Sequence, residues 1–140
     1  MARAADFELI NELAELEGLM DGIRAWCQQQ VLSEETAYEV NLIVDEVVSN
    51  IIRHGFSDGK EHTIKFGISL DGDDVVMKVQ DQGIHFYPLI VPAPDTLTPM
   101  QDRKPGRLAI YIVKKLARDV EYRREGLTNF LVMRNRAIFA

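Results

Sequence analysis

Three polar residues recur at helical spacing in an otherwise apolar stretch of the chain. Glu46, Asn50 and His54 are spaced four residues apart, so in an α-helix they stack on one side within about 80° of arc. The row combines a carboxylate, an amide and an imidazole, which together offer both hydrogen-bond donors and acceptors. The row is therefore compatible with solvent exposure, with a structural hydrogen-bond network, or with a ligand that carries a metal ion.

The helix that would hold this row is predicted between Ser33 and Phe56. Ser33 is a good N-cap, and the acids Glu34 and Glu35 favour the first turn. Gly55 is typical of a residue that ends a helix. The buried face of this helix is predicted from apolar residues at three- and four-residue steps. These residues are Ala37, Val40, Ile43 or Val44, Val47, Val48 and Ile51.

Two further segments carry residues that could contact a ligand. Asp81 and Gly83 form a turn after a predicted strand, shortly before Phe86. The carboxylate could accept a hydrogen bond from an exocyclic amine, while glycine lets the backbone approach a flat ring. Gly106 precedes a helix predicted over 108–117, whose free N–H groups and dipole favour phosphate. Together the three segments describe the adenine end, the metal-holding middle and the phosphate end of an ATP site.

A long proline-rich connection separates the second and third segments. All five prolines of the chain lie between residues 86 and 106, which excludes a regular helix or a central strand there. A connection of about twenty residues is long for a compact domain and is typical of a lid or a binding loop. We predict a lid loop at about 88–107, with positive charge at its far end from Arg103, Lys104 and Arg107.

The other elements are predicted from the period of the apolar residues. Alternation of apolar and polar residues predicts strands over 7–10, 63–70, 75–80, 119–124 and 128–134. Helical spacing predicts a helix over 13–30, and residues 1–6 are expected to be frayed. This order predicts an α+β two-layer sandwich, with a mixed, mainly antiparallel sheet and helices on one face. We expect residues 1–140 to form a single domain.

Composition and charge exclude several classes of protein. The chain has 140 residues and a formal net charge of −6, which disfavours direct binding to nucleic acid. No apolar run approaches the length of a membrane span, and the N-terminus lacks a secretory signal, so a cytoplasmic location is expected. Cys27 is the only cysteine, which excludes an internal disulfide and a zinc site made of cysteine pairs. We predict that Cys27 packs in the core.

Three motifs in this order resemble those of the anti-sigma-factor serine-protein kinases, small bacterial regulators with the histidine-kinase-like (GHKL or Bergerat) ATPase fold. The first is Glu46-x-x-x-Asn50 followed by the run IRHGF at 52–56. The second is DQGIHFYPL at 81–89, and the third is IYIVKK at 110–115 leading into VEYRR at 120–124. The resemblance covers nearly the whole chain. It rests on the three motifs occurring in this order, with the predicted lid between the second and the third.

The resemblance implies ATP and Mg²⁺ as cofactors. It implies that Asn50 coordinates magnesium and that Glu46 is the general base towards the serine hydroxyl of a protein substrate. Asp81 would bind the adenine amino group, Gly83 would line the base, and Thr128 would lie near the adenine. The remaining residues predicted for the nucleotide site are His54, which would support the pocket wall, Phe86, Gly106, Arg107 and Leu108.

The phosphate segment departs from the pattern of the family. A Gly-x-Gly or Gly-Gly-x-Gly run is usual there, whereas this chain has Gly106-Arg107-Leu108-Ala109. Arg107 could bind phosphate through its planar fork of donors, or Arg107 and Ala109 could crowd the loop.

Two functions therefore stay open. The first is an anti-sigma regulatory factor with ATP-dependent serine-protein kinase activity, which sequesters a sigma factor and phosphorylates a small antagonist protein. The second is a non-catalytic binding module of the same fold, which binds nucleotide poorly and regulates a partner by sequestration. A homodimer is what the resemblance implies.

Overall fold

The computed structural model of the protein describes residues 3–84, 113 and 115–140. The strands are β1 (Ala4–Ile10), β2 (Thr63–Asp71), β3 (Asp74–Asp81), β4 (Asp119–Glu125) and β5 (Thr128–Arg136). The helices are α1 (Leu16–Gln29), which follows a 3-10 turn over Leu13–Glu15, and α2 (Glu34–His54). Within the described residues these strands form one sheet in the order β1-β2-β3-β5-β4.

Helix α2 begins and ends where the sequence predicts. The Ser33 side chain accepts a hydrogen bond from the Thr36 N–H at 3.1 Å, and the acids Glu34 and Glu35 occupy the first turn. At the other end the Gly55 N–H donates to the Ile51 carbonyl at 2.7 Å. The predicted cap and stop signals are confirmed, and they place Glu46, Asn50 and His54 within the helix.

The core lies between one face of the sheet and the two helices. Alternation along the strands directs Phe66 and Ile68 of β2, and Met77 and Val79 of β3, to this face. The same buried face continues onto β5, because Val79 of β3 pairs with Leu131 of β5. From the helices the fully buried residues include Ile23, Val40, Ile43, Val44, Val47 and Val48. The predicted α+β sandwich is confirmed, and all pairings between the described strands are antiparallel.

The N-terminal part of the chain differs from the prediction. Residues 4–6 are not frayed, because they pair with Gly67, Ile68 and Ser69 on the edge of the sheet. Helix α1 is shorter than the predicted 13–30, since its first residues form the 3-10 turn. Gly22, inside α1, leaves room for Phe7 of β1, which lies close to the helix at this point. A Cβ at Gly22 would lie 2.5 Å from Cε1 of Phe7.

Helix α1 ends in a Schellman motif with valine at the left-handed position. The Leu32 N–H donates to the Cys27 carbonyl at 3.1 Å, and the Val31 N–H donates to the Gln28 carbonyl at 3.0 Å. Val31 has φ 59°, a conformation that β-branched residues rarely adopt. The C-terminal residues pair with this turn, since the Ala140 N–H donates to the Val31 carbonyl at 2.9 Å.

The third predicted helix is described only at its end. Val113 is buried, and the Ala117 N–H donates to its carbonyl at 2.8 Å, as in a helical turn. Residues 108–112 and 114 of the predicted helix, and the predicted lid loop at 88–107, lie outside the described residues. Neither α1 nor α2, the helices of the described part, combines the length and apolar character needed to cross a membrane.

Candidate functional site

The three residues of the polar row of α2 differ in burial, and Asn50 in the middle is the most buried. Asn50 is only 9% exposed, Glu46 is partly buried, and His54 is exposed on the last residue of the helix. Among the residues that the structure describes, none forms a hydrogen bond with the side chain of Glu46, Asn50 or His54. Buried amides in proteins normally have partners, so Asn50 has hydrogen-bonding capacity available for a ligand.

The second predicted feature lies at the end of β3. Asp81 is the last residue of the strand and is 7% exposed. Its Oδ1 atom accepts from the Gly83 N–H at 2.8 Å and from Asn129 Nδ2 at 3.0 Å. No hydrogen bond from the described residues reaches its Oδ2 atom. The carboxylate is thus held through one oxygen, and the other oxygen can accept from a ligand.

Gly83 lies very close to the C-terminal end of α2. A Cβ at this position would lie 2.6 Å from the Gly55 carbonyl oxygen, closer than real Cβ atoms come. The next residue reinforces the contact, because the Ile84 N–H donates to the same carbonyl at 2.8 Å. Glycine is therefore required at 83 to bring the end of β3 against the end of α2. This contact places the turn after Asp81 against Gly55, the residue that follows His54 at the end of α2.

A hydrogen-bond network on the β4–β5 hairpin supports the turn after β3. Asn129, which is 3% exposed, lies directly opposite Asp81 in the register of the sheet. Its Oδ1 atom accepts from the Tyr122 hydroxyl at 2.5 Å and from Arg124 Nη1 at 2.8 Å. Arg124 Nη1 also donates to the Gly83 carbonyl at 3.0 Å. The hairpin thus contacts both the carboxylate and the backbone of the turn.

This network was not predicted from the sequence. A signal was present, because alternation along β5 places Asn129 on the same buried face as Leu131 and Met133. A polar residue in such a position requires partners. Thr128, the predicted adenine neighbour, begins β5 opposite Glu125, while Asn129 is the β5 residue opposite Asp81. Phe86, Gly106, Arg107 and Leu108 lie outside the described residues.

The donor set suits magnesium better than a metal that needs several protein ligands. Within the described ranges no group of three or more His, Cys, Asp or Glu residues could hold a metal ion. Magnesium binds oxygen, keeps most of its waters, and commonly takes one or two protein ligands together with substrate phosphates. The nearly buried amide of Asn50 fits that requirement as a single ligand.

Cys27 takes no part in this site. Its side chain is 1% exposed and packs in the core, as predicted. Burial raises the pKa of its thiol to about 11, so the thiol stays protonated near neutral pH.

The described elements define a class of fold: a two-layer α+β domain with an antiparallel sheet covered by helices on one face. Comparison with known families gives the same class. The family described as the histidine kinase-like ATPase domain matches residues 9–135. The chain belongs to this family, and its match extends from β1 to β5.

Solved structures share the fold at low sequence identity. One is described as the RsbU and RsbW domains of Rv1364c from Mycobacterium tuberculosis, with 12% identity and a TM-score of 0.66. The match covers 98% of this chain and 34% of that chain, so this chain spans about a third of its length. Another is the Acinetobacter baumannii histidine kinase AdeS, with 13% identity and a TM-score of 0.50. That match covers 97% of this chain and 68% of the AdeS chain. No curated protein matches the chain.

Proposed function

We propose that the protein binds ATP with Mg²⁺ and transfers the γ-phosphoryl group to a serine of a partner protein. The observation that carries the proposal is the buried Asp81 carboxylate, held through Oδ1 by Gly83 and Asn129. Its Oδ2 atom is suited to accept from the exocyclic amine of adenine. Membership of the histidine kinase-like ATPase family supports the same ligand.

Asn50 is the proposed protein ligand of the metal. It lies on α2, whose C-terminal end contacts the turn after Asp81 through Gly55. Bound magnesium would neutralise charge on the phosphates of the nucleotide. Gly106, Arg107 and Leu108 are proposed to complete the phosphate end, and Phe86, Thr128 and His54 the walls of the nucleotide site.

Glu46 is the proposed general base. It lies one turn before Asn50 on the same side of α2 and is partly buried. In the proposed step the Glu46 carboxylate takes the proton of the serine hydroxyl, whose oxygen bonds to the γ-phosphorus. The bond from that phosphorus to the bridging oxygen breaks, and ADP leaves.

The proposed biological role is that of an anti-sigma factor. The motif resemblance supports a sigma factor as the sequestered partner and a small antagonist protein as the phosphorylated substrate, with the regulator acting as a homodimer in the cytoplasm. The match of fold to a structure that contains an RsbW domain supports the same assignment.

A second candidate function is a binding module without phosphoryl transfer. It is favoured by the run Gly106-Arg107-Leu108-Ala109, which has one glycine where the related kinases have two or three. Fewer glycines make it harder for backbone N–H groups to close around phosphates.

Phosphoryl transfer separates the two functions. We expect Glu46→Ala to bind ATP and Mg²⁺ as the wild type does and to lose transfer to a serine-containing antagonist, because the base is gone but the nucleotide contacts remain. Glu35→Ala, at an exposed position in the first turn of the same helix, is the matched control and should keep transfer. Radiolabelled phosphate incorporation measures both. Equal transfer by wild type and Glu46→Ala would remove Glu46 from this role, and ATP binding without transfer by the wild type would favour the binding module.

A further inference from the structure

We propose that Asn129 and Arg124 are positioning residues that orient the Asp81 carboxylate and thereby make the site selective for a 6-aminopurine over a 6-oxopurine. The inference rests on the proposed function, since it concerns how the proposed nucleotide site chooses its base. It is carried by the hydrogen bonds that join the hairpin to the turn after β3.

The network fixes which way the Asn129 amide points. A guanidinium can only donate, so the Asn129 atom that lies 2.8 Å from Arg124 Nη1 must be the amide oxygen. The amide nitrogen then faces three oxygens, which are Asp81 Oδ1 at 3.0 Å, the Ile84 carbonyl at 2.9 Å and the Gly83 carbonyl at 3.3 Å. Each of these atoms is an acceptor, so every contact of the amide is consistent with one orientation.

The orientation of the amide determines how the Asp81 carboxylate is held. Asp81 Oδ1 accepts from two donors, the Asn129 amide and the Gly83 N–H. Both donors approach the same oxygen, so they hold the carboxylate in one orientation. They also prevent the carboxylate from rotating, so its Oδ2 atom offers only acceptor lone pairs in a fixed direction.

A fixed acceptor discriminates between purines. The 6-amino group of adenine can donate to Oδ2, whereas the 6-oxo group of hypoxanthine or guanine would place an acceptor against an acceptor. Sites built around such a buried hydrogen bond reject analogues that cannot form it, because the buried group is left unpaired. Without the amide of Asn129 the carboxylate could rotate and would discriminate less.

Arg124 supports the same geometry from the edge strand. It holds the Asn129 oxygen and also donates to the Gly83 carbonyl at 3.0 Å. Its neighbour Arg123 points to the other face of the sheet, where its guanidinium lies 4.5 Å from the centre of the Phe130 ring. The two arginines of β4 therefore form a natural test pair, with one in the network and one outside it.

The experiment compares ATP with inosine triphosphate, which carries a 6-oxo group, by isothermal titration calorimetry in magnesium. We expect the wild type to bind ATP about tenfold more tightly or better, the effect of one charge-assisted hydrogen bond. Asn129→Leu, which keeps the branched outline of the side chain and removes the amide, should lose ATP affinity and bring the ratio to within about twofold. Arg124→Met should lower the ratio in the same direction.

Arg123→Met is the control and should keep the wild-type ratio. A merely structural loss would lower the apparent affinity for both nucleotides together and leave the ratio unchanged, so the ratio separates positioning from folding. If Asn129→Leu does not fold, Arg124→Met still tests the inference. An unchanged ratio in Arg124→Met and in folded Asn129→Leu overturns this inference alone. No binding of ATP to the wild type overturns the proposed function and this inference with it.

Discussion

At the scale of single residues, the site depends on polar groups that are buried but incompletely paired. Asp81 and Asn50 are both less than one-tenth exposed, and a buried polar group without a partner costs free energy. The protein pairs one carboxylate oxygen of Asp81 and leaves the other available. This arrangement is unfavourable for stability alone, and it is consistent with a ligand that completes the hydrogen bonds.

Gly83→Ala tests the contact between the turn and α2. The new methyl group would lie 2.6 Å from the Gly55 carbonyl and 2.8 Å from Asp81 Oδ1, so the backbone must move. We expect a loss of about 2 kcal/mol in the free energy of unfolding, measured by urea denaturation, together with weaker nucleotide binding.

Gly18→Ala is the matched control for that substitution. Gly18 is exposed in α1, and a Cβ there would meet nothing within 4 Å. Alanine should stabilise the helix by about 0.5–1 kcal/mol. If Gly83→Ala were as stable as the wild type, the close approach of the turn to Gly55 would be contradicted.

Cys27 should be unreactive in the folded protein. Burial raises the pKa of its thiol to about 11, and the thiolate is the species that reacts with disulfide reagents. At pH 8 we expect labelling of the native protein only at the rate of unfolding, and rapid labelling in denaturant. Fast labelling of the native protein would show that the side chain is accessible.

At the scale of elements, α1 contains a strained residue at its end. Val31 adopts φ 59° as the left-handed residue of a Schellman motif and is 55% exposed. Glycine adopts this conformation without the steric conflict of a Cβ atom. We expect Val31→Gly to raise the free energy of unfolding by about 1 kcal/mol, visible as a higher Tm. A lower Tm would mean that packing of the valine outweighs its backbone strain.

The regular elements could be predicted because their signals are local. Ser33, the first-turn acids and Gly55 determine where α2 begins and ends, and a period of two identifies the hairpins of β2–β3 and β4–β5. The early start of β1 could not be predicted in this way. Residues 4–6 are ordered by pairing with β2, more than sixty positions later in the chain.

The network around Asn129 was missed for the same physical reason. Its hydrogen bonds join β5 to residues 45 to 48 positions away, and sequence spacing does not identify such partners. Asp81 and Gly83 could be singled out as a turn, but the contact of Gly83 with Gly55 depends on how β3 meets α2. The roles of Glu46, Asn50, His54 and Thr128 stay predictions.

At the scale of the whole molecule, the turn after β3 connects two parts of the domain. On one side the Ile84 N–H donates to the Gly55 carbonyl at the end of α2. On the other side Asn129 and Arg124 of the β4–β5 hairpin contact the Gly83 carbonyl. The helix that carries the proposed base and metal ligand is thus tied to the strands that position the proposed adenine-binding carboxylate.

The central claim is that the chain binds ATP through Asp81, and calorimetric titration of ATP in magnesium tests it most directly. We expect binding by the wild type and a loss of about tenfold or more in Asp81→Asn, because the amide would present a donor where the carboxylate accepts. Asp73→Asn, exposed in the turn at the other end of β3, should bind as the wild type does. No heat of binding from the wild type at millimolar ATP, or equal affinity in Asp81→Asn, would contradict the claim.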